Sequence, residues 1–226
     1  MKKIVFHFLF LIIVLADLTG EVLHLKWMDY TFKPLIMVSI AGYFLSYAKT
    51  LDKKVVQLAI PAFAFSWLGD ILLMFGDKDF IFFILGLAAF LGSQIVYIFL
   101  FLQTIKLSGK TSFLKKKPFW LLFYIVYGLT IYTVLFNHLD TVLQVAVFVY
   151  MVALLGMSAM ALNRFGNGHP VSFSLVFAGS ICFVLSDSMI AINKFLISLP
   201  FEGLLVMTTY IAAQYLIMRG ILKQYE

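Results

Sequence analysis

Residues 80–105 read FIFFILGLAAFLGSQIVYIFLFLQTI, 26 consecutive positions without one charged side chain. As a helix this run is about 39 Å long, at about 1.5 Å per residue. The hydrocarbon core of a bilayer is about 30 Å thick, so the run is a membrane span. On its N-terminal side Gly76-Asp77-Lys78-Asp79 reads as a tight turn, and on its C-terminal side Lys106 and Lys110 mark an exit into water. Further apolar segments follow outward in both directions: 4–24, 33–48 and 54–75 before it, and 118–136, 140–162, 170–193 and 200–221 after it. The expected fold class is therefore all-α: a polytopic transmembrane bundle of eight helices, forming a single transmembrane domain over residues 1–226. The segment 33–48 is short for a span, and interfacial flanks or local bilayer thinning would accommodate it.

Composition agrees. Hydrophobic residues make up 63% of the chain and charged residues 12%, against about 45–50% and about 25% in soluble domains. So few charges cannot build a hydrated surface. The net charge of +6 comes from basic residues in the breaks between apolar runs, not from a basic face on a polar domain, so no nucleic-acid partner is expected. The partner implied is the lipid bilayer. Cys182 lies inside an apolar run and is expected as a buried, inert thiol, with no disulfide and no metal cluster. Met1-Lys2-Lys3 and the apolar stretch after it look like a signal peptide, but no small-x-small cleavage site is evident, so a first membrane helix is expected.

With the N-terminus inside, the cytoplasmic positions carry Lys2, Lys3, Lys49, Lys53, Lys54, Lys106, Lys110, Lys115, Lys116, Lys117, Arg164, Arg219 and Lys223, and the outer ones carry Lys26, Lys33, Lys78 and Lys194. That is 13 against 4, a positive-inside bias repeated over several loops. It predicts both termini in the cytoplasm of a multi-pass protein, in the cell (inner) membrane if the source is a bacterium. Prolines punctuate the same breaks. Lys33-Pro34 is expected to start the second helix and Pro200 to open the last, positions where a missing N–H costs nothing. Pro61 falls inside the third segment, and the first segment is expected to fray into Glu21, His24 and Lys26.

A weak repeat links the halves. Ser66-Trp67-Leu68-Gly69-Asp70 in the third segment pairs with Phe183-Val184-Leu185-Ser186-Asp187 in the seventh, and Gln94 with Tyr97 pairs with Gln214 and Tyr210. The two aspartates are 117 positions apart and the two glutamines 120, four spans on. Two parallel four-helix repeats would give that spacing, as would chance likeness among apolar helices.

Asp70 and Asp187 are the residues the bilayer does not explain. Carboxylates within spans face protein or a water-filled cavity and are functional candidates by default. A helix-end carboxylate in interfacial water is the alternative, more credible for Asp70 than for Asp187. Two carboxylates sharing one low-dielectric site divide into an acid and an anion. That pairing suits hydrolysis of an acid-labile bond through an oxocarbenium-like state, and nearly as well a proton-coupled transporter or permease. Asp17 is expected to be an interfacial cap or a structural partner. Lys33, at the outer start of the second helix, is placed to bind a lipid phosphate or simply to snorkel. Gln94, Tyr97, Tyr210 and Gln214 would line a polar cavity or bond helix to helix. Ser66 shares a face with Asp70 one turn on, whereas Ser186 adjoins Asp187 without sharing its face. No Gly-x-Ser-x-Gly elbow, no phosphate-binding glycine loop and no metal-ligand spacing among His7, His24, His138 and His169 is present.

With these residues in place, the chain resembles the YhhN/TMEM86 family, whose characterised members are lysoplasmalogenases. The matching features are Lys33-Pro34, then Ser66 to Asp70 with Leu72 and Leu73, then Gly86, Phe90, Gly92-Ser93-Gln94 and Tyr97. In the second half they are Gly179, Phe183, Ser186-Asp187, Asn193 with Phe195, and Tyr210 with Gln214. The resemblance covers the chain from about residue 30. It implies an eight-helix membrane enzyme that uses water to cleave the 1-alkenyl ether of lysoplasmalogen, a single-chain ether phospholipid. The products would be a fatty aldehyde and a glycerophospho-choline or -ethanolamine. It implies Asp70 and Asp187 as the catalytic pair, with Lys33, Ser66, Gln94, Tyr97, Ser186, Asn193, Tyr210 and Gln214 as substrate-binding or supporting residues, and no metal or organic cofactor. Gln94 departs from the family pattern, where histidine is common, so hydrogen bonding and not proton relay is expected there.

Overall fold

The computed structural model describes residues 3–224, and every regular element among them is helical; Lys2 lies outside the described residues. In chain order the helices are α1 (Lys3–Leu23), α2 (Lys26–Tyr47), α3 (Lys53–Leu73), α4 (Phe80–Ser108), the four-residue α5 (Phe113–Lys116), α6 (Leu121–Phe136), α7 (Thr141–Asn163), α8 (Pro170–Phe195) and α9 (Glu202–Lys223). Short 3₁₀ turns at Ala48–Thr50 and Pro118–Trp120 follow α2 and precede α6. Among the described residues seven helices are long and apolar enough to cross a membrane: α1, α3, α4, α6 with its preceding turn, α7, α8 and α9. The chain is thus a multi-pass integral membrane protein. α2 has 22 residues, but Lys26, Asp29 and Lys33 fall in its first eight.

That start corrects the expected 33–48 segment. Pro34 lies inside α2 and not at its first position. The residues before it are helical despite their charge because they pack against α1. Nor does α1 fray at Glu21: it stays helical to Leu23, and only His24 and Leu25 link it to α2. His24 takes φ 53°, a left-handed conformation that turns the chain sharply. At the far end, α9 starts at Glu202 after Phe201 (φ 53°), so Pro200 precedes the helix without opening it. Pro61 is absorbed within α3.

Contacts gather in two compact units, Met1–Val96 and Tyr97–Glu226, whose boundary falls within α4. In the first, α2 buries Ile36, Met37, Ile40, Tyr43 and Phe44, a stripe at helical spacing. α3 buries Val55, Ala59, Ala62, Phe63, Ser66, Gly69 and Asp70 on one side, and its N-terminus is capped by Asp52, which accepts from the Lys54 and Val55 amides. α1 buries Phe6, Phe10 and Asp17, while Ile4, Phe8, Leu11 and Leu15 are exposed for lipid. α1 and α2 approach closely at Gly20, where an added Cβ would lie 2.5 Å from Asp29 Oδ1 and 2.9 Å from Met28 Cβ.

In the second unit α8 and α9 form the tightest pair. A Cβ at Gly179 would stand 2.8 Å from the Ala213 carbonyl oxygen, and one at Gly220 2.9 Å from that of Ser172. Backbones this close require glycine, the usual device of packed membrane helices. Arg164, counted above among the loop cations, is 1% exposed. Its Nε donates to Thr104 Oγ1 at 3.0 Å, and its Nη2 to Ser172 Oγ at 2.8 Å and to Gln224 Oε1. It ties helix ends together and is not displayed to solvent. α5 is held by the Leu114 amide donating to Asn163 Oδ1 at 2.8 Å. Cys182, expected buried, is half-buried on α8.

Candidate functional site

Most of the quoted motif residues serve helix packing. In the first unit Ser66 Oγ lies 2.7 Å from Ser93 Oγ, and Ser93 donates to the Ala62 carbonyl at 2.9 Å, which joins α3 to α4. Gly69 leaves room for the Phe90 ring, which a Cβ would meet at 2.6 Å, and Gly86 does the same for Leu73 at 2.7 Å. In the second unit the Phe183 and Tyr210 rings meet edge to face at 5.8 Å. Ser186 Oγ donates to the Val206 carbonyl at 3.1 Å, and Asn193 Oδ1 accepts from the Leu199 amide at 2.8 Å. Tyr97 donates to Gln214 Oε1 at 2.6 Å, an interhelical bond between two fully buried side chains. Gln94 is likewise fully buried. Of the alternatives weighed for Tyr97 and Gln214, helix-to-helix bonding is the one present.

Packing leaves the carboxylates over. Asp70, 5% exposed, sits in the last turn of α3, and its charge acts on Lys33 of α2. Lys33 Nζ is 2.6 Å from Glu21 Oε1, with both side chains 16% exposed. Asp17 also lies within electrostatic reach of Lys33, and Asp29 within reach of Asp17. The first unit therefore brings four carboxylates from three helices within electrostatic reach of Lys33. Asp17 and Glu21 come from α1, Asp29 from α2 and Asp70 from α3. Lys33 is thus a half-buried partner of Glu21, and not a side chain that snorkels to the interface.

In the second unit Asp187, 7% exposed, accepts a hydrogen bond from Tyr150 of α7 at 2.6 Å on Oδ2. Its neighbour Ser188 lies 2.8 Å from the Tyr127 hydroxyl. A phenol donating to a carboxylate steadies the anion and fixes its orientation. Asp70 is thus set against a cation and Asp187 against a phenol. Among the described residues no three His, Cys, Asp or Glu side chains are arranged to hold a metal ion.

Sequence reading missed Tyr150 and Glu21 and undervalued Asp17. Tyr150 lies mid-span on an apolar helix, and nothing local pairs it with a residue 37 positions away. Glu21 carried a usable signal: an acidic group opposite Lys33 across a short link.

Comparison with known proteins bears on what this set of residues does. Residues 28–221 match the YhhN family. The lysoplasmalogenase TMEM86B of Sus scrofa is 35% identical over 135 residues, 60% of this chain and 52% of the pig protein. The lysoplasmalogenase TMEM86B of Homo sapiens is 27% identical over 199 residues, 88% of this chain and 77% of the human protein. The chain thus spans about half of the pig relative's length and three-quarters of the human one's. No solved structure matches. The match takes in both aspartates, Lys33 and the packing motifs around them, and begins after α1; by that span this chain belongs to the YhhN family.

Proposed function

We propose that this protein hydrolyses the 1-alkenyl ether bond of lysoplasmalogens, using Asp70 and Asp187 as acid and base. The observation that carries the reading is the family match together with two buried carboxylates in apolar helices that packing does not account for. Buried ionisable groups in spans are costly to keep and mark function.

The chemistry balances with two carboxyl groups. One, protonated, gives its proton to the β-carbon of the vinyl ether, and the ether oxygen stabilises the resulting oxocarbenium ion. Water adds to the α-carbon while the other, ionised, takes a proton from it, giving a hemiacetal. In the collapse the first carboxylate accepts the hemiacetal hydroxyl proton and the second returns its proton to the departing glyceryl oxygen. An aldehyde and an alcohol leave, one water is consumed, and both groups are back in their starting states. A carboxylate also stabilises the positive charge that develops at the α-carbon. The Tyr150 hydrogen bond fits Asp187 for the anionic part. Lys33 beside Asp70 offers a cation to the lipid phosphate in exchange for Glu21. The single acyl-like chain fits entry from the bilayer with the headgroup at its surface.

The test is aldehyde release from a lysoplasmalogen by purified, detergent-solubilised protein. Asp70→Asn and Asp187→Asn should each lower turnover by about 10²- to 10⁴-fold, the usual worth of a general acid or base. The double variant should be little worse than the poorer single, since groups that act as a unit are non-additive. Near-normal turnover in either folded single variant would refute the two-aspartate chemistry.

A further inference from the structure

The end of α4 and the link from it to α6 carry five lysines, Lys106, Lys110, Lys115, Lys116 and Lys117, all of them exposed. No acidic residue occurs from position 80 to position 139, so no neighbour in sequence neutralises them. None of the five makes an ion pair among the described residues. Four of them fall within eight positions, Lys110 to Lys117.

This link is pinned to the helices beneath it. Leu114 is 7% exposed and packs with Ala159 and Leu162 of α7, and Phe173 and Phe177 of α8 join the same cluster. The Leu114 amide donates to Asn163 Oδ1 at 2.8 Å, and Ser108 Oγ lies 2.7 Å from Asn167 Oδ1. The Lys117 amide donates to the Phe113 carbonyl at 2.9 Å and closes α5. The Phe113 ring meets those of Phe165 and Trp120 at 5.0 and 6.2 Å. With Leu114 turned into protein, Lys115 and Lys116 are left exposed on a fixed backbone.

The depth of the patch follows from its aromatic residues. Phe119, 59% exposed, and Trp120, 38% exposed, come directly before Leu121, Leu122 and Phe123, which α6 exposes for lipid. Exposed aromatic rings at the start of a span sit at the level of the lipid headgroups. The contact of Phe113 with Trp120 holds α5 near that level. A positive-inside bias needs only a number of lysines in the link. It does not require them on a folded platform beside exposed aromatic rings. Cations held at headgroup depth without counter-ions call for anions there, and each such lysine is worth about fivefold in binding to an anionic surface.

We propose that Lys110, Lys115, Lys116 and Lys117, with Trp120, form a binding site for anionic phospholipid headgroups in the leaflet that the link faces. The lysines hold the lipid phosphate, and Phe119 and Trp120 lie against the upper part of the lipid. A zwitterionic lipid binds more weakly, because its own ammonium already balances its phosphate. The site stands apart from the hydrolysis proposed above and does not depend on it.

Trp120 reports the occupant. In the full chain with Trp27→Phe and Trp67→Phe it is the one tryptophan left. This protein is reconstituted in phosphatidylcholine bilayers that contain a minority of lipid with brominated chains, either phosphatidylglycerol or phosphatidylcholine. Bromine quenches the fluorophore it touches. Brominated phosphatidylglycerol should reach Trp120 with at least about fivefold higher apparent affinity than brominated phosphatidylcholine. Changing Lys110, Lys115, Lys116 and Lys117 together to glutamine should remove the excess, and changing them to arginine should keep it. Sodium chloride should weaken it, because exposed charges are screened. Both leaflets hold the same lipids, so an inverted chain gives no false loss. Equal quenching by the two lipids in the parent, an excess that survives the glutamine set, or one lost in the arginine set overturns the proposal. Sodium phosphate at the same ionic strength should act no more strongly than the chloride; a stronger effect assigns the site to a soluble phosphate and overturns the lipid. The four side chains are exposed, so the glutamine set should unfold at the same denaturant concentration as the parent, and a set that fails to fold makes the lysines structural and overturns the proposal as well.

Discussion

Replacing Lys33 with methionine, which keeps the length of the side chain, removes the ammonium group paired with Glu21 in the first unit. The gross attraction at stake can be worked from the 2.6 Å separation of Lys33 Nζ and Glu21 Oε1. With an effective dielectric of about 20, Coulomb's law gives about 6 kcal/mol. Desolvation of both ions offsets much of this, and breaking a buried pair from one side costs about 3–5 kcal/mol in measured cases. Both partners are 16% exposed, so the lower end applies, and Lys33→Met should destabilise the protein by about 3 kcal/mol. Lys33→Met with Glu21→Leu should recover roughly half of that, because an apolar pair replaces an orphaned anion; Asp70 still lacks its cation, so recovery stays partial. The assay is equilibrium unfolding in mixed micelles of sodium dodecyl sulfate for parent, both singles and the double, read as a cycle. A single variant that costs less than about 1 kcal/mol, or a double that costs the sum of the singles, would refute the account of Lys33 as a half-buried charge-balancing group.

Tyr150→Phe removes only the hydroxyl that donates to Asp187 at 2.6 Å. It should lower kcat by about tenfold with KM little changed, since a hydrogen bond to a charged group is worth about 1.5–3 kcal/mol; an unchanged kcat in steady-state aldehyde release would detach Tyr150 from the chemistry. Gly179→Val forces its Cβ to within 2.8 Å of the Ala213 carbonyl oxygen. It should cost at least about 2 kcal/mol in the same unfolding assay, the scale of overpacking against backbone, and parent-like stability would show that α8 and α9 can part. Reporter fusions after each long helix should alternate, with α2 counted as a span and both termini cytoplasmic. A fusion after α9 that reports from the outside, the outcome if only the seven strongly apolar helices cross, would refute this topology.

The membrane class of this protein was legible in sequence because it rests on local quantities, whereas seven of the eight expected spans are long and apolar enough to cross among the described residues. Residues 80–105 declare a span by length and lack of charge, and α4 occupies Phe80–Ser108. Asp70 and Asp187 stood out for the same reason, as charges where the local surroundings offer no water. The start of α2 was misjudged because Lys26, Asp29 and Lys33 look like loop residues until Glu21 and Gly20 of α1 are beside them. Arg164 was read as a loop cation because its partners Thr104, Ser172 and Gln224 come from elsewhere in the chain. Asp17 looked like an interfacial cap, and only the packing of α1 shows it to be sealed away without a donor. Hydropathy sums over neighbours in sequence, and so it reports which segments leave water. Whether a charge inside such a segment is paired, bonded or stranded depends on atoms brought up by other helices, and only the tertiary structure decides that.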